Sequence, residues 1–278
     1  MKESENILTQ NYYPKTATLY SAVLEDGDYH SKKDSFTSFF LGLFTPFPEK
    51  MRINRAFGKA MYQRYAQEKF ANILDIGAGP MPKGHEWGPD ANYLYIDHNP
   101  AIVEHARKKL RPRNKAIYEV GGVGDLRRLF EEGLGERAFG ADRKIAIGSN
   151  AVLMFVSDEQ IREAFTYLYH WAAPGSAVMI TMTGVTSAET AFGARMIRGF
   201  FRWIDAPMYI RNIDTFASLL APWTMVEKPI PTWQWLGWPP SKKTAGVGFD
   251  IYAMRLEKKE TDIPRERWKQ PERMAGKS

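Results

Sequence analysis

The sequence predicts an α/β fold, a doubly wound and mostly parallel sheet behind a helical N-terminal extension, and three observations predict it. A short apolar run, Ile73 to Ile76, reads as a buried strand that runs into Gly77-Ala78-Gly79. A second apolar run, Tyr93-Leu94-Tyr95-Ile96, ends in Asp97, about twenty residues further on, the spacing of neighbouring strands in a nucleotide-binding unit. Beyond it, strand-like and helix-like segments alternate, as βα units of a parallel sheet do.

The first strand spans 72–76, with Asp75 near its carboxyl end, where ligands collect in an open sheet of this kind. Glycine at 77 and 79 lets the backbone turn sharply and come close to a ligand. Asp97 ends the second strand, 92–97, where an acid can accept hydrogen bonds from both ribose hydroxyls. Two strands, a turn and a terminal acid make a half-site for an adenosine-containing cofactor. A dinucleotide site needs a third glycine to seat the pyrophosphate, and that position is Pro82. S-adenosylmethionine has no pyrophosphate and is favoured over a nicotinamide cofactor. The competing reading is an ordinary strand-to-helix turn.

Pro80 to Asp90 is rich in proline and glycine, so the first helix after the turn is short. Asn99-Pro100 supplies an N-cap and a first-turn proline for a helix over 100–110. Ala116 to Val120 is the third strand, followed by Asp125, which either meets the adenine amino group or caps the helix over 126–132. Lys144 to Gly148 is the fourth strand, and its exit, Ser149-Asn150, faces the donor end of the cofactor. A helix over 158–171 leaves through Ala173-Pro174-Gly175 into a fifth strand, 177–183. Residues 187–204 have helical character and carry Arg195, Arg198 and Arg202. Thr224–Pro229 and Gly248–Arg255 complete the sheet as an antiparallel edge pair. Between them Trp233 and Trp235 share one side of an extended piece, suited to stacking on a flat ligand or to packing in the core.

Upstream, Tyr12, Tyr13, Tyr20, Tyr29, Phe36, Phe39, Phe40, Phe44 and Phe47 crowd a polar segment. A helix follows from about Pro48 to Gln67, with Met51, Ile53, Phe57, Met61 and Tyr65 near helical spacing. This segment serves as a lid over the ligand, or packs on the sheet or in a homodimer interface. The domain plan is a helical lid over 1–67, a cofactor-binding Rossmann-like domain over 68–257 and a basic, solvated tail over 258–278.

With 278 residues, 44% of them hydrophobic, the chain can bury one sizeable core plus an appendage. The absence of cysteine excludes a disulfide framework, thiolate zinc sites and a cysteine nucleophile. No residues have metal-ligand spacing. The polar, acidic start, Met1-Lys2-Glu3-Ser4-Glu5-Asn6, does not resemble a signal peptide, and Phe36 to Phe47 is too short for a membrane span. The expectation is a cytoplasmic protein without a membrane partner. Much of the net charge of +6 lies in the tail, which reads as a solvated end rather than a nucleic-acid patch.

Asn54-Arg55-Ala56-Phe57, Leu74-Asp75-Ile76-Gly77, Pro82, His85-Glu86, Tyr95-Ile96-Asp97-His98-Asn99-Pro100 and Asp125-Leu126-Arg127 follow one another in this order. Asp142-Arg143, Ala151-Val152-Leu153, Phe155-Val156 and Ala173-Pro174-Gly175-Ser176 continue the series. From about Tyr20 to Met254 the chain thereby resembles the S-adenosyl methyltransferase family, small bacterial class I methyltransferases formerly grouped as a domain of unknown function. The resemblance implies a Rossmann-like methyltransferase fold and S-adenosyl-L-methionine as cofactor. It puts Asp75, Gly77, Ala78 and Gly79 on the methionine side, Asp97 on the ribose, Asp125 with Leu126 at the adenine, and Ser149 with Asn150 near the methionine end. Tyr20, Arg55 and His98 complete the cofactor set.

Two departures from the family pattern stand out. Where the family has Gly-Gly-Lys-Asp-Asn, this chain reads Glu25-Asp26-Gly27-Asp28-Tyr29, and where the family has histidine before Phe155 it has Met154. An inherited base is therefore missing, and His30 becomes the candidate. His170 reads as structural, and His85 and His98 as cofactor-loop residues. Asp28, Tyr29, Met154, Trp233 and Trp235 are the candidate substrate contacts.

Methyl transfer from a sulfonium is an in-line displacement with a neutral leaving group, so positioning and exclusion of water carry most of the work. Adenine-amino methylation needs Asn or Asp before Pro-Pro-aromatic, and the chain has Asn150-Ala151-Val152-Leu153; cytosine-carbon methylation needs a cysteine. A small-molecule acceptor, a secondary metabolite or an aromatic compound, is the resulting expectation, with nucleic acid disfavoured. Cyclisation or aminocarboxypropyl transfer releasing methylthioadenosine, and a non-catalytic cofactor-binding module, are the alternatives.

Overall fold

Strand β1 (Asn72–Ile76) is buried along its whole length, because it lies at the centre of a sheet that is covered on both faces. The computed structural model describes residues 47–80, 82–110, 115–185, 198, 199, 202, 208–240 and 249–259. Strands β2 (Asn92–Asp97) and β4 (Ala146–Ser149) flank β1, both parallel to it. β3 (Ala116–Val120) lies outside β2 and β5 (Ala177–Val185) outside β4, again parallel. β8 (Asp250–Glu257) runs antiparallel to β5, and β7 (Thr224–Pro231) antiparallel to β8. The order is β3-β2-β1-β4-β5-β8-β7, with the short β6 (Arg211–Asn212) against the end of β5. This is the doubly wound, mostly parallel sheet that the sequence predicts, with its antiparallel edge pair.

The fourth strand begins later than expected, at Ala146 rather than Lys144, and extends to Ser149. The amide of Lys144 is taken by the Asp142 carboxylate at 2.9 Å, and that of Ile145 by Ser176 Oγ at 3.0 Å. Neither is free to join the ladder.

One face of the sheet carries α1 (Phe47–Gln67), the one-turn α2 (Gly84–Trp87) and α3 (Pro100–Lys109). The other carries α4 (Leu126–Glu131), α5 (Leu134–Phe139), α6 (Asp158–Trp171) and α7 (Ile213–Phe216). With both faces covered, the parallel strands read as continuous apolar runs rather than alternating ones. α1, which the sequence reading attaches to the N-terminal extension, is a core element. Phe57, Met61 and Tyr65 on it are fully buried, and the Tyr65 hydroxyl donates to the Ile147 carbonyl at 2.7 Å. Residues 1–46, including the aromatic segment read as a lid, lie outside the described residues. So does most of 187–204, of which 198, 199 and 202 are helical.

α2 packs closely on β2. A Cβ on Gly84 would stand 2.7 Å from the Tyr93 ring, and one on Gly88 2.7 Å from the Tyr93 hydroxyl. Tyr93 and Tyr95 are stacked with centroids 5.5 Å apart. α3 starts as expected, with Asn99 Oδ1 accepting from the amides of Ala101 and Ile102 at 2.9 and 3.2 Å.

α6 opens with a capping box between Ser157 and Gln160 and acids in its first turn, which suit the positive end of the helix dipole. Its other end is closed from far along the chain. Lys258, read from sequence as the head of a solvated tail, is instead buried, and its ammonium donates to the carbonyls of Tyr169 and Ala172 at 2.6 and 2.7 Å. A cation here satisfies orphan carbonyls and meets the negative end of the dipole. Lys258→Met keeps the stem and removes these bonds; a loss of about 2 kcal/mol in urea unfolding is expected. Among the described residues no helix is long and apolar enough to cross a membrane.

Candidate cofactor and acceptor site

The strand order reverses between β1 and β4, and at such a switch point the loops beyond the carboxyl ends part to form a crevice. Gly77 and Gly79 follow β1 with φ of 75° and 71°, a left-handed conformation that L side chains adopt only at a penalty. The amides of Gly77 and Ala78 both donate to the Ile96 carbonyl, at 2.7 and 3.1 Å, which ties the turn to β2. A Cβ on Gly77 would also collide with Val152, at 2.2 Å, whereas one on Gly79 would meet nothing within 4 Å. The turn is thus packed at its first glycine and open at its second.

Asp97 stands across from that opening. Its carboxylate accepts from the amides of Gly79 at 3.1 Å and Asn99 at 3.0 Å. Burial pushes its pKa up, against the opposing pull of the Asn99 amide, His98 and the Gly79 amide. The Tyr118 hydroxyl donates to the Gly79 carbonyl at 2.6 Å, so the end of the turn is held from β2 and β3 together. His98 is largely exposed, with Nδ1 3.4 Å from Asp97.

Asp75 is buried, and burial pushes its carboxyl up to about 6 despite a hydrogen bond from Tyr62 and the positive charge of Arg55. Arg55 in turn lies over the Trp87 ring at 5.2 Å. His85 is anchored rather than free to react: its amide donates to the Tyr95 hydroxyl at 2.8 Å, and its Nδ1 lies 2.9 Å from the same oxygen. On the far side of β2, the Asp125 carboxylate accepts from Gly122 N at 2.9 Å and pairs with Arg128. It makes no side-chain cap to α4; its bond from Gly122 is a capping-box contact of the single turn 123–125 that precedes α4. Leu126 is buried behind it.

Beyond β4, Asn150 Oδ1 accepts from the Thr181 hydroxyl at 3.3 Å, and that hydroxyl accepts from the Ala151 amide at 2.9 Å. Ala151 has φ of 57°, a strained value for alanine, and Thr181 is what locks it. Arg211 pins the next turn, donating to the carbonyls of Leu153 and Val156 while pairing with Asp158. Met154, the residue in place of a histidine, is fully buried with the Thr183 hydroxyl 3.3 Å from its sulfur. The Ser149 hydroxyl is buried and, among the described residues, has no hydrogen-bond partner.

The two tryptophans do not lie on an extended piece. Residues Thr232–Trp235 form a helical turn, α8, because the Trp233 indole reaches Asp250 at 2.9 Å while Trp235 packs edge-on against Phe57 at 4.8 Å. Asp250 also pairs with Lys50 at 2.8 Å. Lys50 is buried, and burial lowers its pKa in spite of Asp250. Tyr20, Asp28, Tyr29 and His30 lie outside the described residues. The sequence reading missed Tyr62, Thr181 and the Lys50–Asp250 pair. Only the helical spacing of Tyr62, one residue on from Met61, hinted at the first.

The residues present suit S-adenosylmethionine: a buried carboxylate for an ammonium, a second carboxylate for a diol, and an open glycine between them. No curated protein matches the chain. Among solved structures, a provisionally assigned methyltransferase of Thermobifida fusca YX superposes with a TM-score of 0.74 at 18% identity, covering 90% of this chain and 97% of that one. A DUF574 family protein of Streptomyces avermitilis gives a TM-score of 0.70 at 18% identity, covering 87% of this chain and 97% of that one. At that identity the likeness establishes the fold. A family model described as S-adenosyl methyltransferase matches residues 2–254, and the chain belongs to that family of S-adenosylmethionine-dependent methyltransferases.

Proposed function

We propose that this methyltransferase acts on a small-molecule acceptor held beyond the ends of β4 and β5. The supporting observation is burial. Asn150 is half-buried, Thr181 and Thr183 are buried, and the nearby Lys50–Asp250 pair is internal. Among the described residues, Lys50 is matched by Asp250 and Arg211 by Asp158, pairings that do not suit a phosphate backbone.

In this reading Asp75 binds the ammonium of the methionine moiety, with Tyr62 and Arg55 keeping its carboxylate ionised and oriented. Gly77, Ala78 and Gly79 lie along that moiety, Asp97 takes the ribose hydroxyls beside His98, and Asp125 with Leu126 borders the adenine. Asn150, fixed by Thr181, and Ser149 border the donor end. The cofactor supplies an electrophilic methyl group on a sulfonium. What the chain supplies is alignment of the acceptor behind that methyl and a dry site. His30, Tyr20, Asp28 and Tyr29 are proposed to come from the segment ahead of α1, with Trp233 and Met154 bordering the acceptor region.

Asp97→Ala should weaken S-adenosylmethionine by about 1–3 kcal/mol, the range for a lost charged hydrogen-bond partner. Calorimetry on a variant that melts normally checks it, and unchanged affinity would remove Asp97 from the ribose. The reading as a whole is tested by incubating the protein with S-adenosylmethionine and a pooled metabolite extract. S-adenosylhomocysteine formed only with extract, with a methyl mass gain on one metabolite, supports it. Methylation confined to added nucleic acid, or release of methylthioadenosine instead, counts against it.

A further inference from the structure

Lys50, Asn54, Gly58 and Tyr62 are spaced by four residues on α1 and so form one stripe along the helix. Three of the four have a site residue facing them. Tyr62 bonds to Asp75 at the end of β1, and Gly58 faces Asn150 after β4, where a Cβ would stand 2.5 Å from Asn150 Nδ2. Lys50 pairs with Asp250, whose backbone is in register with Gly184 near the end of β5. The stripe therefore crosses the site from the cofactor acid to the far wall of the acceptor side. Asn54 falls between Asn150 and the Lys50–Asp250 pair.

Asn54 is 6% exposed, and its Oδ1 has no hydrogen-bond partner among the described residues. A buried carbonyl oxygen without a donor costs about 1–3 kcal/mol, and such atoms are few in folded proteins. Leucine, which has nearly the same shape, would fill the space without that cost. Asp75, the acid proposed for the cofactor ammonium, is held by Tyr62, whose backbone lies eight residues and about 12 Å further along the helix axis.

We propose that Asn54 Oδ1 is an acceptor-binding group that takes a hydrogen bond from an N–H or O–H of the molecule to be methylated. This rests on the transferase reading above and narrows it: the acceptor is a protic compound, an amine, amide, alcohol or phenol. An amide oxygen is too weak a base to remove the proton, so Asn54 orients the acceptor and a separate base takes the proton. The Lys50–Asp250 pair and Trp233 form the wall one turn beyond. A purely hydrocarbon acceptor would leave the oxygen unpaired and gain nothing from it.

The test uses Asn54→Leu and Asn54→Ala in the full chain. Three quantities are measured: melting without cofactor, calorimetric affinities for S-adenosylmethionine and S-adenosylhomocysteine, and transfer from methyl-labelled S-adenosylmethionine to a pooled metabolite extract. Asn54→Leu should melt at or above the parent, bind both cofactor forms within twofold of it, and raise the KM for the labelled metabolite at least tenfold. That metabolite should carry an N–H or O–H. Unchanged kcat/KM in both variants, with an active parent, would overturn the proposal and leave the transferase reading intact. Lower melting with full turnover would show that Asn54 is structural. Weakened binding of S-adenosylmethionine alone would place the oxygen on the sulfonium, and also overturn it. A parent that labels nothing in the extract defeats the transferase reading and this proposal together.

Discussion

Asp75→Asn will raise the melting temperature of the cofactor-free protein and abolish tight cofactor binding. The carboxyl ordinarily titrates at 3.8 and is pushed up to about 6 in the fold, chiefly by burial. Between those values the folded chain binds more protons at this group than the unfolded chain does. Stability attributable to Asp75 therefore falls as pH rises from about 4 through 6, to a penalty of about 3 kcal/mol at neutral pH. Asparagine keeps an oxygen for the Tyr62 hydroxyl and removes the charge. The expected gain is roughly 5 °C or more at pH 7, shrinking toward zero near pH 4. S-adenosylhomocysteine affinity should fall by about 3 kcal/mol, roughly a hundredfold, because its ammonium loses the charge proposed to bind it. In the parent, affinity should decline as pH drops below about 6, and in the variant this dependence should vanish. Differential scanning fluorimetry and calorimetry across pH 4–8 check both. A variant that melts lower at neutral pH would show that the carboxylate is needed by the fold.

Asp250→Ala should be the most destabilising substitution on the acceptor side. It leaves the Lys50 ammonium buried, opposite no carboxylate, and takes the acceptor from the Trp233 indole. Breaking one side of a buried pair costs about 3–5 kcal/mol. Burial already holds the Lys50 pKa below its usual 10.5 with Asp250 present, and without Asp250 it falls further. For a base with a lowered folded pKa, the unfolded chain binds more protons in the window below 10.5, so stability rises with pH there. The defect of Asp250→Ala should thus shrink as pH approaches 10, and Lys50→Met in the same background should restore most of the loss. Urea titrations at pH 7 and pH 9.5 decide it. An equal loss at both values would assign the effect to the indole bond and packing instead.

The strand, turn and strand proposed to hold the cofactor were legible because they are local. Asp75, Gly77, Gly79 and Asp97 belong to a strand, a turn and the next strand, and the turn needs φ values that glycine supplies. The short α2 was legible for the same reason, from Pro80, Pro82, Gly84 and Gly88. The wall proposed for the acceptor was not, because its parts meet only in three dimensions. Nothing near Thr181 in sequence announces that its hydroxyl will hold Ala151 in a left-handed conformation. Lys50 and Asp250 each look like surface charges until β8 brings them together. Trp233 and Trp235 were expected side by side on an extended piece, and it was the Asp250 carboxylate and the Phe57 ring that coiled that piece into a turn. Lys258 reads as tail by composition, yet the last strand delivers it to the end of α6.

Lys50 and Asp250 are separated by 200 residues along the chain, and Glu68 and Arg255 by 187. During synthesis, strands β1 to β3 leave the ribosome with the acids of the cofactor half already present, while α1 still lacks the strand that anchors its first turn. The segment proposed to hold the cofactor is therefore complete in sequence early, and the Lys50–Asp250 wall forms only when β8 docks, a late and long-range step of the slow kind. The order of assembly thus follows the order of the genetic message rather than the order of the reaction.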